Sequence, residues 1–444
     1  MEKEVMRRSN KEQTPPTRSS PTTVYDIPDH LLRLIFGCLG SHVWFVRAAA
    51  VCARWRRIAS TKSMKYRDCY PHDFSTIIGH YHTLDPSLSP AQRTLPVKQR
   101  SAVFVPASPS IDARHFDLDF LPPCPGRRPW ELVGSCGSLL LLASSHRHGF
   151  FPDLLVCEPI SRRYVMIKPI DDMKYCNCLG VYLNDKCSVM SISSFSLTCI
   201  LHERPLGIAD GVSLVTARVY THEPPWCRRW RHGWSSSRLA TSNGIHIRGV
   251  ESAHFAGRSK WFIFWGIEDD GTVFSVSEGT GEISQLRLPE NIRGSHQRST
   301  FRFVDADDAI GNFVRLVSLV GDDLRVFLKT EHGDGDSEWV LARSLHLPEA
   351  ARGLPGYRES FFSHTAKIVT AGKKGYVVLT PEEKTWLFSI ELGTMELERE
   401  HIRNRFPFEV YPYELQLPPK VNVCLLKCKR GRDGRRCAAI CKCK

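Results

Sequence analysis

Asp26–Ser60 reads DIPDHLLRLIFGCLGSHVWFVRAAAVCARWRRIAS, and the reading of the whole chain works outward from it. Pro28 stands where a first-turn proline belongs, because the N–H it lacks has no intrahelical partner there and its φ is preset. Asp26 is available just upstream as a cap, and Asp29 suits the positive end of a helix dipole. Leu31, Leu32, Ile35, Phe36 and Leu39 then recur at i, i+1, i+4, i+5 and i+8, which makes one broad apolar stripe of helical period. Gly40 is a natural C-terminal stop, and Ser41 can cap a second helix from about His42 to Ala59. Phe45, Val46, Ala49, Ala50, Val51, Cys52, Trp55 and Ile58 are its apolar residues. The arginines at 54, 56 and 57 are expected on the solvent side or near the negative end of that helix.

Helices this short cannot bury all of these side chains against one another. Either they pack onto the domain that follows, or part of their surface stays open for a partner helix, with Phe36 and Trp55 as aromatic anchors. Periodicity alone leaves both open. The stretch resembles an F-box: Ile27-Pro28, Leu31-Leu32, Ile35-Phe36, Leu39, Val51-Cys52, Trp55-Arg56 and Ile58-Ala59 fall in that family's order. Trp44-Phe45 stands where the family often has Asp-Leu. The resemblance implies a three-helix module over residues 24–70 that binds a Skp-type adaptor and, through it, a cullin and a RING protein. On that resemblance the adaptor-binding residues are Ile27, Pro28, Leu31, Leu32, Ile35, Phe36, Leu39, Val51, Cys52, Trp55 and Ile58.

After about Cys69 the texture changes. Short β-prone stretches lie between turn residues: STIIGHYHTL, SAVFVPAS, SLLLLASS, DLLVCEPI, RYVMIKP, SLVTARVYT, KWFIFWGI, TVFSVS, FVRLVSLV, LRVFLKT, EWVLARSLHL, GYVVLTP and TWLFSIEL. A loose repeat of strand, acidic or glycine-bearing turn, strand and closing polar strand ends at Pro169, Pro289, Pro348 and near Glu400. The later spacings are about 50–60 residues, near the length of a propeller blade. The expected fold is therefore mainly β, with a β-propeller of about six blades over residues 72–425 behind the helical module. Paired β-sandwiches are the alternative, and Glu203–His246 reads as an irregular insertion. The GSLLLL…LLVCEP run and the β repeats also resemble plant F-box proteins with a kelch-like or related propeller, although the glycine pairs of kelch repeats are absent.

At 444 residues the chain is expected to hold two or three units, and 42% hydrophobic with 24% charged residues is a soluble globular composition. No run is long and apolar enough for a membrane span. Residues 1–23 read as a disordered leader without the apolar core of a secretory signal. Sixteen cysteines scattered through such a chain suit thiols in a reducing compartment, hence an intracellular protein of cytoplasm or nucleus. The net charge of +13 comes largely from the Arg228–Arg231 neighbourhood and from a basic, cysteine-rich tail, residues 426–444, expected to be disordered.

Other constellations are weaker. Cys424, Cys428, Cys437, Cys441 and Cys443 have no common zinc-knuckle spacing. Cys176 and Cys178 are a lone pair, and His72, His80 and His82 lack a matching acidic set. Gly333 and Gly335 mark an acidic loop without the terminal glutamate of an EF-hand. Nucleotide-binding and hydrolase motifs are absent, so no metal, no cofactor and no enzymatic activity are expected. The best surface candidate is Trp226, Arg228, Arg229, Trp230, Arg231 and Trp234, tryptophans interleaved with arginines as in interface hot spots. They are read as contacts for a protein substrate, with a packing role for the tryptophans as the plain alternative. The functional expectation is the substrate-recognition subunit of a Skp–cullin–F-box ubiquitin ligase. The alternatives are an F-box scaffold acting outside a ligase, and a basic nucleic-acid-binding protein.

Overall fold

The computed structural model describes residues 27–38, 48, 51–59, 74–84, 102–109, 111–124, 129–144, 151–173, 176–184, 191–203, 212–222, 232–235, 245–259, 261–268, 272–277, 282–290, 292, 300–305, 314–331, 337–362, 366–371, 375–381, 386–399 and 407–417. Among the described residues the helices α1 (Asp29–Gly37) and α2 (Ala53–Ala59) come first. Pro28 is the N-cap residue of α1, with φ −61° and ψ 150°, so the chain enters the helix on a proline backbone with no cap from that residue's side chain. Asp26, Ser41 and Trp44-Phe45 lie outside the described residues.

The single second helix expected from His42 to Ala59 is interrupted. Ala48 and Val51 are helical, Cys52 is not, and α2 starts afresh at Ala53. The Cys52 sulfur accepts the Trp55 backbone N–H at 3.4 Å, the contact an N-cap side chain makes three residues into a helix.

Strands make up most of the other described residues. β1 (Phe74–Leu84) and β2 (Val103–Pro106) pair with each other, and β1 also pairs with the last strand, named below. Antiparallel meanders follow in order: β3 (Trp130–Cys136), β4 (Leu139–Ser144), β5 (Leu154–Glu158) and β6 (Arg163–Ile167); then β7 (Asn177–Leu183), β8 (Phe195–Glu203), β9 (Val212–His222), β10 (His232–Ser235) and β11 (Ile245–Arg248). The next are β12 (Ala253–Arg258), β13 (Phe262–Ile267), β14 (Val273–Ser277) and β15 (Ile283–Leu286); then β16 (Phe301–Asp305), β17 (Val314–Val320), β18 (Asp323–Glu331) and β19 (Ser337–His346). A short helix α3 (Leu347–Ala351) leads to β20 (Lys367–Ala371), β21 (Tyr376–Thr380), β22 (Phe388–Glu391) and β23 (Glu396–Arg399), and β24 (Pro407–Leu417) returns to β1. Every β-prone stretch named above carries one of these strands. Pro169, Pro289 and Glu400 each follow the last strand of a meander, and Pro348 lies one residue into α3 after β19. The supposed insertion Glu203–His246 is partly sheet, because β10 and β11 both pair with β9.

Why the strands read as unbroken apolar runs is visible in β4 and β5. Leu139, Leu141 and Ala143 face one apolar cluster together with Leu154 and Val156, whereas Leu140 and Leu142 face another with Leu155 and Cys157. A strand alternates its side chains between two faces, so burial on both demands apolar residues at every position. The same holds in β21, where Val377 and Leu379 point one way and Tyr376 and Val378 the other. It holds in β13, where Ile263, Trp265 and Ile267 oppose Phe264.

The clusters occupy successive spaces between meanders. One joins β1, β2 and β24 to β3–β6, the next joins β3–β6 to β7–β10, and others follow in turn to β12–β15, β16–β19 and β20–β23. A last cluster, Tyr376, Val378, Leu387 and Val410 with Ile77 beside it, joins β20–β23 back to β1 and β24. The first strands make matching contacts: β24 touches β3, β3 touches β7, β7 touches β12, β12 touches β16, β16 touches β20, and β20 touches β24. The helical module keeps a separate small core of Leu32, Phe36, Ile58 and Ala59, with Ile27, Ala48 and Trp55 against it.

Candidate docking site

The adjacent leucines of α1 part company. Leu32 and Phe36, four apart and therefore on one helical face, are fully buried with Ile58 of α2. The Phe36 ring meets Trp55 edge-on, with centroids 5.4 Å apart and planes at 67°. The neighbouring face carries Leu31, Leu34 and Ile35, which are 43%, 64% and 44% exposed, and Val51 just before α2 is 58% exposed. Four large apolar side chains in the open on so small a module is a surface that gains from being covered.

The two helices are tied at one corner. Arg54 Nε donates to Asp29 Oδ1 at 2.8 Å, and Arg54 Nη2 donates to the Ile27 carbonyl at 2.5 Å. Arg57 Nη2 stands 3.4 Å from the other Asp29 oxygen. The Arg54 hydrogen bond, aided by the charges of Arg54, Arg57 and Arg33, holds the Asp29 carboxyl below the usual aspartate range. Arg57 stays mostly exposed, as the sequence suggested, whereas Arg54 is about one-third exposed and ties the first turn of α2 to the start of α1.

The residues expected to meet an adaptor thus fall into groups. Leu31, Ile35 and Val51 are exposed, and so is Leu34, although the motif did not single it out. Leu32, Phe36 and Ile58 are interior and hold the module together, which removes Phe36 as an exposed anchor. Ile27 and Trp55 are half-buried against that interior, Pro28 caps α1, Cys52 caps α2, and Leu39 lies outside the described residues. The signal for Leu34 was available: i, i+1 and i+4 from Leu31 describe two faces, and Leu34 extends the outer one.

The tryptophan–arginine cluster resolves differently. Trp234 sits in β10 with its ring edge-on to Phe151 at 5.8 Å and against Tyr220 at 5.2 Å. Its Nε1 donates to the Lys168 carbonyl at 2.9 Å. It packs its own meander against the preceding one, and its one donor is satisfied there. Trp226, Arg228, Arg229, Trp230 and Arg231 lie outside the described residues. So do the terminal cysteines, His72, Gly333 and Gly335.

His80 and His82 are buried in β1. Burial pushes the Cys178 thiol up to about 12 and the Cys199 thiol upward as well, the reverse of what a thiolate ligand needs. Among the described residues no three of His, Cys, Asp or Glu come together as a metal site, and no helix is long and apolar enough to cross a membrane.

Comparison with known proteins bears on the helical module. Residues 24–70 match the F-box-like family, so the module is an F-box-like domain. No curated protein matches the chain. Among solved structures, a protein from Lactobacillus plantarum is similar at 11% identity and a TM-score of 0.34, over 77% of this chain and 100% of that one. AztD from Citrobacter koseri is similar at 12% identity and 0.26, over 71% and 66%. The α-L-arabinofuranosidase Arb93A from Fusarium graminearum is similar at 9% identity and 0.28, over 59% and 77%.

Proposed function

We propose that the chain is the substrate-recognition subunit of a Skp–cullin–F-box ubiquitin ligase. One observation carries the reading: the F-box-like domain has its own core and still leaves Leu31, Leu34, Ile35 and Val51 facing outward. An outward apolar row on a helix is what a partner's groove takes in, and Skp-type adaptors are what F-box domains bind.

The β region is read as a propeller of six blades. Support comes from sheets that bury both faces, each against a different neighbour, with β24 touching both β20 and β3. A pair of sandwiches would bury each sheet on one face only. Loops of that domain hold the target protein, and the chain supplies effective concentration and orientation of a target lysine without chemistry of its own. Cullin and RING protein join through the adaptor, inside the cell, where free thiols such as Cys157 and Cys199 stay reduced.

The test is affinity capture of the full chain from cells. Wild type is expected to retain a Skp-type adaptor and a cullin, and Leu31→Asp with Ile35→Asp neither. Adaptor without cullin identifies a scaffold outside a ligase; absence of both overturns the reading.

A further inference from the structure

The open apolar face is composite. Leu31, Leu34 and Ile35 belong to α1, whereas Val51 precedes the break at Cys52, so how these exposed side chains stand to one another depends on the mutual placement of the two segments. Neither helix is long enough to hold its shape alone: α1 has nine residues and α2 seven, against the roughly 12–15 at which isolated helices become marginal. The interior that joins them is also small, four buried side chains with Ile27, Ala48 and Trp55 at its edge. Apolar contact sets distance between helices more firmly than it sets rotation or sliding, because it is not directional.

Direction comes from Arg54. Its planar fork reaches two acceptors at once, the Asp29 carboxylate at 2.8 Å and the Ile27 carbonyl at 2.5 Å. One acceptor lies in the first turn of α1 and the other just ahead of it, so the guanidinium fixes where α1 begins relative to α2. We propose that Arg54 is a positioning residue for partner docking: it aligns the Leu31, Leu34 and Ile35 row with Val51 without itself belonging to the apolar face. The inference rests on the docking reading above.

An adaptor pays for realignment wherever this pin is missing, because apparent affinity falls by the fraction of molecules already in the competent arrangement. The experiment is isothermal titration of the full-length chain with a purified Skp-type adaptor. For Arg54→Ala the expected result is a Kd weakened about tenfold, with stoichiometry still near one. Arg54→Lys recovers part of the loss, because an ammonium reaches the carboxylate without the second bond of the fork. Asp29→Ala loses part of what Arg54→Ala loses, because the bond to the Ile27 carbonyl remains, and the double variant falls no further than Arg54→Ala. A Kd for Arg54→Ala within twofold of wild type overturns the proposal. So does a lowered stoichiometry at unchanged Kd, which marks a residue that only keeps the module folded. Strictly additive losses in the double variant overturn it too. Leu31→Asp with Ile35→Asp separates the two readings: if wild type does not bind, or this variant binds equally well, the docking face itself is wrong and the proposal falls with it.

Discussion

Gly257 and Phe303 meet backbone to backbone in the parallel register pair that joins β12 to β16. Gly257 has φ +132°, and a Cβ there would stand 2.6 Å from the Phe303 nitrogen and closer still to its carbonyl oxygen. The contact lies between rigid backbones of two successive meanders, so neither side can yield cheaply. Gly257→Ala is therefore expected to destabilise the β region by roughly 2–5 kcal/mol, combining overpacking with a backbone region that side chains avoid. The thermal midpoint of the full chain should drop by several degrees, while Gly321→Ala, with open space around its Cβ position, should show only the milder strain of its own positive φ.

The two faces of α1 give a second prediction. Phe36→Ala removes a fully buried ring and should cost the module about 3–5 kcal/mol, read as loss of helical signal and of hydrogen-exchange protection in Ile27–Gly37. Leu34→Asp on the open face should change stability by no more than about 0.5 kcal/mol and still abolish adaptor capture. Equal instability from both would mean that the outer face is not solvent-exposed in the free chain.

Asp29 makes the module sensitive to acid. Its carboxyl titrates below the ordinary range because Arg54 hydrogen-bonds the charged form. The folded pKa lies under the unfolded one, so this contribution is present above about pH 4 and is lost as pH falls through the folded value. Hydrogen exchange, corrected for intrinsic rates, between pH 7 and a pH below the folded value should show the α1–α2 corner opening in wild type. Asp29→Asn should already be open at pH 7 and change less between the two.

The thiols give a fourth. Cys38 is exposed at the end of α1, whereas Cys178 and Cys199 sit among apolar side chains that push their thiols upward, Cys178 to about 12. Iodoacetamide at pH 8 should label Cys38 in the native chain and leave Cys178 and Cys199 unlabelled until denaturant is added, as peptide mass spectrometry would show. Native labelling of Cys199 would contradict the burial of β8.

What the sequence disclosed and what it hid divide along the strands themselves. The stretches that stood out are β1, β2 and many of the later strands of the meanders, above all those where two buried faces force continuous apolar runs such as LLLLAS, whereas β8, β10 and β11 did not stand out. The first strands, β3, β7, β12, β16 and β20, and the returning β24, did not stand out. Several are bulged next to a glycine, at Leu132/Gly134, Cys178/Gly180 and Phe255/Gly257, and β20 is bulged at Ile368/Thr370. A bulge shifts the alternation by one residue midway, which erases the period-two signal within a strand of five to seven residues. The recurring apolar-glycine pair, Val133-Gly134, Leu179-Gly180 and Ala256-Gly257, was the mark of these strands.

In the helical module the motif located the domain, because its pattern is local in sequence. It did not separate Leu31 from Leu32, since neighbouring positions share one broad stripe until the second helix chooses a face. For Trp234 residue type alone left contact and packing roles open, and it does not say that Phe151 and Tyr220 pack against the indole.

The central claim is that Leu31, Leu34, Ile35 and Val51 are the face that takes a Skp-type adaptor. The most direct measurement is the affinity of the purified full-length chain for a purified adaptor, compared with Leu31→Asp plus Ile35→Asp at matched thermal stability. Wild type should bind with one adaptor per chain, and the variant should show no binding. Equal binding by both, or none by the wild type, would contradict the account.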